Sequence, residues 1–85
     1  MRPAAIRELT LLSRPGCHLC EAALELLEPR CRAYGVRLRV VDVDGDQALR
    51  DRYGLRIPVV MAGDSELCAW PLDEAQLAAW FGRRS

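Results

Sequence analysis

The sequence of 85 residues contains no lysine, because each of its 12 cationic residues is an arginine. This absence excludes a lysine nucleophile and a Schiff base formed on a lysine amine. The formal net charge is zero and the longest basic run is the pair Arg83–Arg84. The chain therefore has no concentration of positive charge that would bind the phosphates of a nucleic acid. We therefore expect no nucleic-acid partner.

Long apolar runs are also absent. Residues Met1–Ile6 run into the charged Arg7 and Glu8 without the apolar core of a secretory signal. No segment approaches the roughly 20 apolar residues of a membrane-spanning helix. We therefore expect a cytoplasmic protein without a membrane partner. Structural disulfides are rare in that compartment, so the four cysteines of the chain need another explanation.

The length and composition indicate one folded domain over residues 1–85. With 51% apolar residues the chain can form a core. A chain of this size buries only about 60% of the surface that its unfolded form exposes, which leaves little room for a deep cavity. We expect a monomer whose chemistry takes place at an exposed edge.

The first half of the chain is predicted to form two strands and two helices. A buried strand over 8–13 is followed by a helix that starts at Cys17, is expected to end or kink at Pro29, and adds a last turn over Arg30–Tyr34. The predicted inner face of this helix consists of Leu19, Ala22, Ala23, Leu26 and Leu27. A strand over 36–40, a turn over 42–46 and a short helix over 47–53 with Asp46 as its N-cap follow.

The second half is predicted to form a hairpin and a final helix. A third strand is entered at Ile57, a turn spans 62–65 and a fourth strand covers 66–69. Asp73 and Gln76 resemble a capping box that opens the last helix. The order β-α-β-α-β-β-α predicts an α/β fold, with a four-stranded mixed sheet and helices on both faces.

Two cysteines, Cys17 and Cys20, are separated by two residues at the start of the first predicted helix. The unpaired N–H groups and the positive end of the helix dipole stabilise a thiolate at this position. Thiolate is the attacking species in disulfide exchange. Cys17 is therefore the predicted nucleophile, and Cys20, one turn further into the helix, is the predicted resolving thiol.

The cysteine pair also has other interpretations. Half of a zinc site looks the same, and zinc needs two further ligands, for which Cys31, Cys68, His18 and carboxylates are available. No second C-x-x-C is present, so we favour redox chemistry and expect no metal. The imidazole of His18 either tunes the thiolate pKa and the reduction potential or is a surface residue without effect.

Pro58 is a second signal, because an X-Pro bond just before a strand is a candidate cis peptide. By itself, a trans proline that begins an edge strand is the simpler interpretation of Ile57-Pro58.

Taken together, the segment Ser13–Cys20 after a first strand and Ile57-Pro58 before a hairpin resemble the thioredoxin superfamily. The element order and length are most similar to a glutaredoxin, and above all to small bacterial glutaredoxin-like proteins. The resemblance spans the chain from Leu9 to Phe81. It implies a thioredoxin-like fold in which Pro58 is cis and lies against the cysteines, and the backbone of Ile57 pairs with a substrate peptide or with glutathione.

The resemblance is incomplete around the expected glutathione site. Glutaredoxins have Pro-Tyr between the cysteines, where this chain has His-Leu, and a Gly-Gly pair before an aspartate that helps to hold glutathione. Asp73 matches that aspartate, but the glycine pair is replaced by a segment with Trp70 and Pro71. Trp70 is either a substrate platform beside the active site or a plug on the core. No bound cofactor is expected, and glutathione is a candidate co-substrate whose binding the sequence leaves open.

These observations predict an enzyme, a thiol–disulfide oxidoreductase acting on protein disulfides or glutathione mixed disulfides and recharged by a cellular thiol reductant. A non-catalytic redox-sensing or binding module of the same fold and a zinc-binding protein are the alternatives. Cys31 and Cys68 are predicted to be buried free thiols. Tyr53, Trp80 and Phe81 are predicted to belong to the core, and Asp42 and Asp44 to a solvated turn.

Overall fold

The computed structural model describes residues 7–83. The expectation that Met1–Ile6 is no secretory signal concerns residues outside this range, as does Arg84 of the basic pair. The described elements are β1 (Glu8–Ser13), α1 (His18–Tyr34), β2 (Arg37–Asp42), α2 (Gln47–Tyr53), β3 (Val59–Ala62), β4 (Ser65–Ala69) and α3 (Glu74–Gly82), with a 3-10 turn over Val43–Gly45. Within the same range, no helix combines the length and the apolar character needed to cross a membrane.

The four strands form one sheet in the order β2-β1-β3-β4. β1 is parallel to β2, whereas the pairs β1–β3 and β3–β4 are antiparallel. The parallel pair is connected through α1, and the antiparallel pair β3–β4 is closed by a short turn, as expected for these two kinds of connection. The predicted mixed four-stranded sheet is therefore confirmed.

Each face of the sheet carries its own apolar cluster, because successive side chains of a strand point to opposite sides. Leu9 and Leu11 of β1 face α1 and α3, whereas Leu12 faces α2. The first cluster is formed by Leu9, Leu11, Ala23, Leu27, Cys31, Val36, Val60, Cys68, Leu77 and Phe81. The second is formed by Leu12, Val43, Tyr53, Val59 and Met61. Helices thus cover both faces, as predicted.

α1 runs through Pro29 to Tyr34, so the last turn expected over Arg30–Tyr34 is present. Pro29 lies on the exposed side, where only the carbonyl of Glu25 loses its N–H partner to the ring. The inner face of α1 differs in part from its prediction, because Leu19, predicted to face inward, is 46% exposed. Ala23 and Leu27 are buried as predicted, and Cys20 and Cys31 complete the buried stripe.

Arg7 joins the start of β1 to the end of α3. Its guanidinium donates hydrogen bonds to the carbonyl oxygens of Trp80, Phe81 (3.3 Å) and Arg83 (2.7 Å) and lies 3.8 Å from the centre of the Trp80 ring. A cation is favourable at this place because the last carbonyls of a helix carry partial negative charge. Trp80 is therefore half-buried beneath an arginine, whereas Phe81 is buried in the core as predicted.

Candidate active site

Cys17 lies immediately before α1 as its N-cap residue, in an extended conformation with φ −91° and ψ 108°. Its Sγ accepts a hydrogen bond from the backbone N–H of Cys20 at 3.2 Å. The two sulfur atoms are joined in a disulfide whose Cα atoms are 5.2 Å apart. Cys17 is half-buried, whereas only 2% of Cys20 is exposed. The outer sulfur is thus accessible to a partner and the inner one is sheltered.

The helix start gives Cys17 the electrostatics of an attacking thiol. In the reduced protein, the N–H of Cys20 would donate to a Cys17 thiolate, and the positive end of the α1 dipole would stabilise the same charge. Both effects favour the ionised form of a thiol and lower its pKa. The arrangement is therefore suited to disulfide exchange at Cys17.

The segment with Pro58 reaches the same end of the sheet as the cysteines. Leu12, near the end of β1, pairs with Val59, and Val59 pairs with Ala69. The chain past Leu12 leads to Cys17, while Pro58 precedes Val59 and Trp70 follows Ala69. The N–H of Trp70 donates to the carbonyl of Pro58 at 3.1 Å, which continues the pairing of β3 with β4 by one residue.

Two X-Pro bonds at this end of the sheet are cis, Ile57–Pro58 and Trp70–Pro71. The first had been implied by the family resemblance and is confirmed, whereas the sequence offered no argument for the second. Pro58 is fully buried and Ile57 is half-buried.

Arg14 connects the cysteine loop with two neighbouring loops. Its guanidinium donates two hydrogen bonds of 2.9 Å to the carboxylate of Asp44 and a third, of 3.4 Å, to the carbonyl of Gly54. Hydrogen bonding from Arg14 holds the pKa of the Asp44 carboxyl below its ordinary value. Asp42–Asp46 is a turn as predicted, but the role of Asp44 as the partner of Arg14 was missed, since the two lie 30 residues apart.

A second arginine, Arg56, lies two residues before Pro58 and is also held by an ion pair. It forms a two-pronged ion pair with the carboxylate of Glu66 on β4, which lowers the pKa of that carboxyl. The N–H of Arg56 also donates to the carbonyl of Tyr53 at 2.8 Å, closing a turn after α2. Leu55 occupies this turn with a fully exposed side chain (102%), a feature that sequence periodicity gave no means to detect.

His18 projects from the first turn of α1 into solvent, with 96% of its side chain exposed. Its Nδ1 is 4.0 Å from the Oε2 of Glu21, one turn further along the helix. A protonated imidazole is thus balanced by a carboxylate at the same helix end.

Asp73 and Trp70, predicted to contact substrate, have structural partners. Asp73 is the N-cap of α3, and its Oδ1 accepts a hydrogen bond from the N–H of Gln76 at 3.0 Å. Trp70 is half-buried and packs against the cluster under α1 and α3, so part of its ring remains available at the surface.

The other two cysteines lie in the core, as predicted. Cys31 and Cys68 are both free and buried. Burial raises the pKa of each thiol, which keeps both protonated and unreactive. Across residues 7–83, no cluster of three or more His, Cys, Asp or Glu side chains is placed to hold a metal ion.

The surface of the described residues has a shallow depression of about 280 Å³ beside the cysteine loop, lined by Ser13, Arg14, Pro15, Val40 and Asp42. A larger groove of about 630 Å³ lies beside α2 and includes Thr10, Arg39, Arg52, Met61 and Asp64.

Known proteins are similar to this chain over nearly its whole length. Residues 8–82 match the model of a family described as a glutaredoxin-like domain (DUF836). The chain is 33% identical over 81 residues to the uncharacterized protein Rv0508 of Mycobacterium tuberculosis, covering 89% of this chain and 84% of that protein.

Solved structures agree with these sequence matches. The solution structure of protein Ne2328 from Nitrosomonas europaea is similar with a TM-score of 0.80 and 33% identity, covering 94% of this chain and 96% of that one. Thioredoxin 1 from Thermosipho africanus has a TM-score of 0.60 at 12% identity, over 86% of this chain and 92% of its own. At that identity the second likeness establishes the thioredoxin-like fold alone.

Proposed function

The chain belongs to the glutaredoxin-like domain family (DUF836), and on that premise we propose that it is a thiol–disulfide oxidoreductase working through Cys17 and Cys20. The observation that carries the proposal is the accessible Cys17 Sγ at the start of α1, which accepts the N–H of the sheltered Cys20. A thiolate at such a position is stabilised by the helix end, and its neighbour is placed to form a disulfide with it.

In the proposed reaction, the Cys17 thiolate attacks one sulfur of a substrate disulfide. A Cys17–substrate disulfide forms, and the second substrate sulfur leaves as a thiolate that takes a proton from solvent. The Cys20 thiol loses its proton and attacks the Cys17 sulfur, which forms the Cys17–Cys20 disulfide and releases the first substrate sulfur. The substrate thus gains two electrons and two protons, and a cellular thiol reductant must return two electrons to the cysteine pair.

The neighbouring residues have proposed roles in the same reaction. The backbone of Ile57, held beside the cis Pro58, pairs with the substrate chain, while Trp70 and Asp73 border the bound substrate. His18 adds a positive charge near Cys17 when protonated and so adjusts the reduction potential. We place the reaction in the cytoplasm, carried out by a monomer with either a protein disulfide or a glutathione mixed disulfide as its partner.

The test is the reduction potential of the Cys17–Cys20 pair, measured in glutathione buffers by thiol trapping and mass spectrometry. We expect a value between about −270 and −180 mV, where working oxidoreductases lie. The variant Cys20→Ser should accumulate a mixed disulfide on Cys17, and Cys17→Ser should accumulate none.

A potential below about −300 mV would contradict turnover and indicate a structural disulfide. A potential in the working range combined with very slow exchange would instead support a redox-sensing module. Zinc bound to the purified reduced protein would support the metal-site alternative.

A further inference from the structure

Apolar side chains are exposed around the cysteine pair. Among residues 7–83, four large apolar side chains are markedly exposed: Leu19, Tyr34, Val40 and Leu55. Leu19 lies between the two cysteines, and Val40 shares the shallow depression with Pro15 of the cysteine loop. Only Tyr34 lies elsewhere, at the far end of α1, about 25 Å along the helix axis. Exposed apolar side chains near the cysteine loop are available to a partner that approaches Cys17.

Leu55 belongs to this surface because its backbone is held at the cysteine end. The carbonyl of Gly54, directly before it, accepts a hydrogen bond from Arg14, which stands three residues before Cys17. On its other side, the turn is closed by the bond between Arg56 and Tyr53 and fastened to β4 through Glu66. The fully exposed side chain is therefore presented from a fixed turn and contributes little to the core.

Two arginines at this end already have carboxylate partners. Arg14 donates two hydrogen bonds to Asp44, and Arg56 donates two to Glu66. Glutathione carries two carboxylates and an ammonium group, so its carboxylates would compete with Asp44 for Arg14 and with Glu66 for Arg56. A polypeptide with an apolar side chain next to its cysteine needs no such competition and covers apolar surface instead.

We propose that the substrate is a polypeptide disulfide with an apolar residue beside the attacked cysteine, and that Leu55 selects it by direct contact. This inference rests on the proposed oxidoreductase function and narrows its two substrate classes to one. The electron balance is the one given above: the peptide disulfide gains two electrons and two protons, and the Cys17–Cys20 disulfide forms.

The experiment compares three probes with the reduced protein. The first is a disulfide-linked peptide with leucine next to each cysteine, and the second is the same peptide with serine in place of leucine. The third is a leucine-flanked, single-cysteine peptide joined to glutathione. Second-order rate constants are measured by chromatography of the products. We expect the leucine peptide to react about tenfold faster than the serine peptide, because leucine burial contributes to the encounter.

Variants then assign the preference to a residue. Leu55→Ser should reduce the leucine-to-serine rate ratio by about fivefold, and Leu55→Met should restore most of it, since methionine supplies similar apolar area. Tyr34→Ser removes an exposed apolar side chain far from Cys17 and should leave the ratio unchanged. Circular dichroism checks that each variant is folded.

The outcomes separate this inference from the proposed function. Equal rates for the leucine and serine peptides, an unchanged ratio in Leu55→Ser, or faster reaction of the glutathione adduct than of the leucine peptide would overturn the inference and leave the oxidoreductase in place. No reaction with any of the three probes would overturn both.

Discussion

The two pairs of cysteines in this chain differ in where their sulfur atoms lie. Cys17 and Cys20 stand at the first turn of α1, where the N–H of Cys20 donates to the outer sulfur. Cys31 and Cys68 lie among leucine, valine and phenylalanine in the cluster under α1 and α3. Cys20 is buried on the same helix stripe as Cys31, so the contrast rests on Cys17, which is half-buried at the helix end. The comparison teaches that a helix end favours the thiolate form of a cysteine, whereas a buried apolar cluster disfavours it.

The largest expected effect is on the rate of disulfide reduction when the proposed nucleophile, Cys17, is replaced. Cys17→Ser should lower the rate of peptide disulfide reduction by about 1000-fold or more, since a serine hydroxyl is not ionised at neutral pH and forms no disulfide. Cys31→Ala and Cys68→Ala are matched controls from the buried pair and should retain the rate. Loss of reduction in a folded Cys68→Ala protein would break the comparison, because a buried thiol would then take part.

For the free energy of unfolding, we expect substitution in the buried pair to cost more than substitution of Cys17. Cys31→Ser places a hydroxyl in an apolar cluster and should reduce the free energy of unfolding by about 1–3 kcal/mol. Cys17→Ser should cost little, since serine is a favoured N-cap residue. Urea unfolding of the reduced proteins measures both, and Cys31→Ala separates the loss of volume from the added polarity. A larger loss for Cys17→Ser than for Cys31→Ser would contradict the assignment.

The smallest effect concerns the pH dependence of stability. Burial raises the pKa of the Cys31 and Cys68 thiols in the folded state, so the folded protein holds these protons more tightly than the unfolded chain. Stability from this source is complete below the ordinary thiol pKa of about 8.5 and declines as the pH rises through the folded-state pKa.

Urea midpoints of the oxidised protein between pH 7 and 10 measure this decline without titration of Cys17 or Cys20. The double variant Cys31→Ala/Cys68→Ala should show a shallower decline than the wild-type chain. Identical slopes would mean that burial leaves the two thiols free to ionise.

Much of the fold could be predicted because its signals are local. The apolar segment that ends before Pro15 gives β1 its observed bounds, and Asp46 caps α2 by accepting the N–H groups of Ala48 and Leu49. Pro29 does not end α1, because it lies on the exposed side of the helix and removes one backbone hydrogen bond there. The predicted inner face of α1 differs from the observed one because the spacing of leucine and alanine gives no weight to Cys20 and Cys31, which complete the buried stripe.

The candidate site was predictable only in part, for a related reason. Cys17 and Cys20 are only three positions apart in the sequence, so their spacing at a helix start carries its own physical meaning. The pair of Arg14 with Asp44 spans 30 residues and the turn at Leu55 depends on contacts with Arg14 and Glu66. Such features arise from the packing of loops at the end of the sheet, and they produce no periodic pattern in the sequence from which they could be predicted.

The bond network of Arg7 has a practical consequence for handling the protein. It holds Arg7 beside Arg83, at the end of β1 opposite to the one that leads to Cys17. β1 has six residues, so about 20 Å of strand separates this point from the reactive loop. A surface tether or fluorescent label attached near either residue therefore faces away from the disulfide and leaves the approach to Cys17 open.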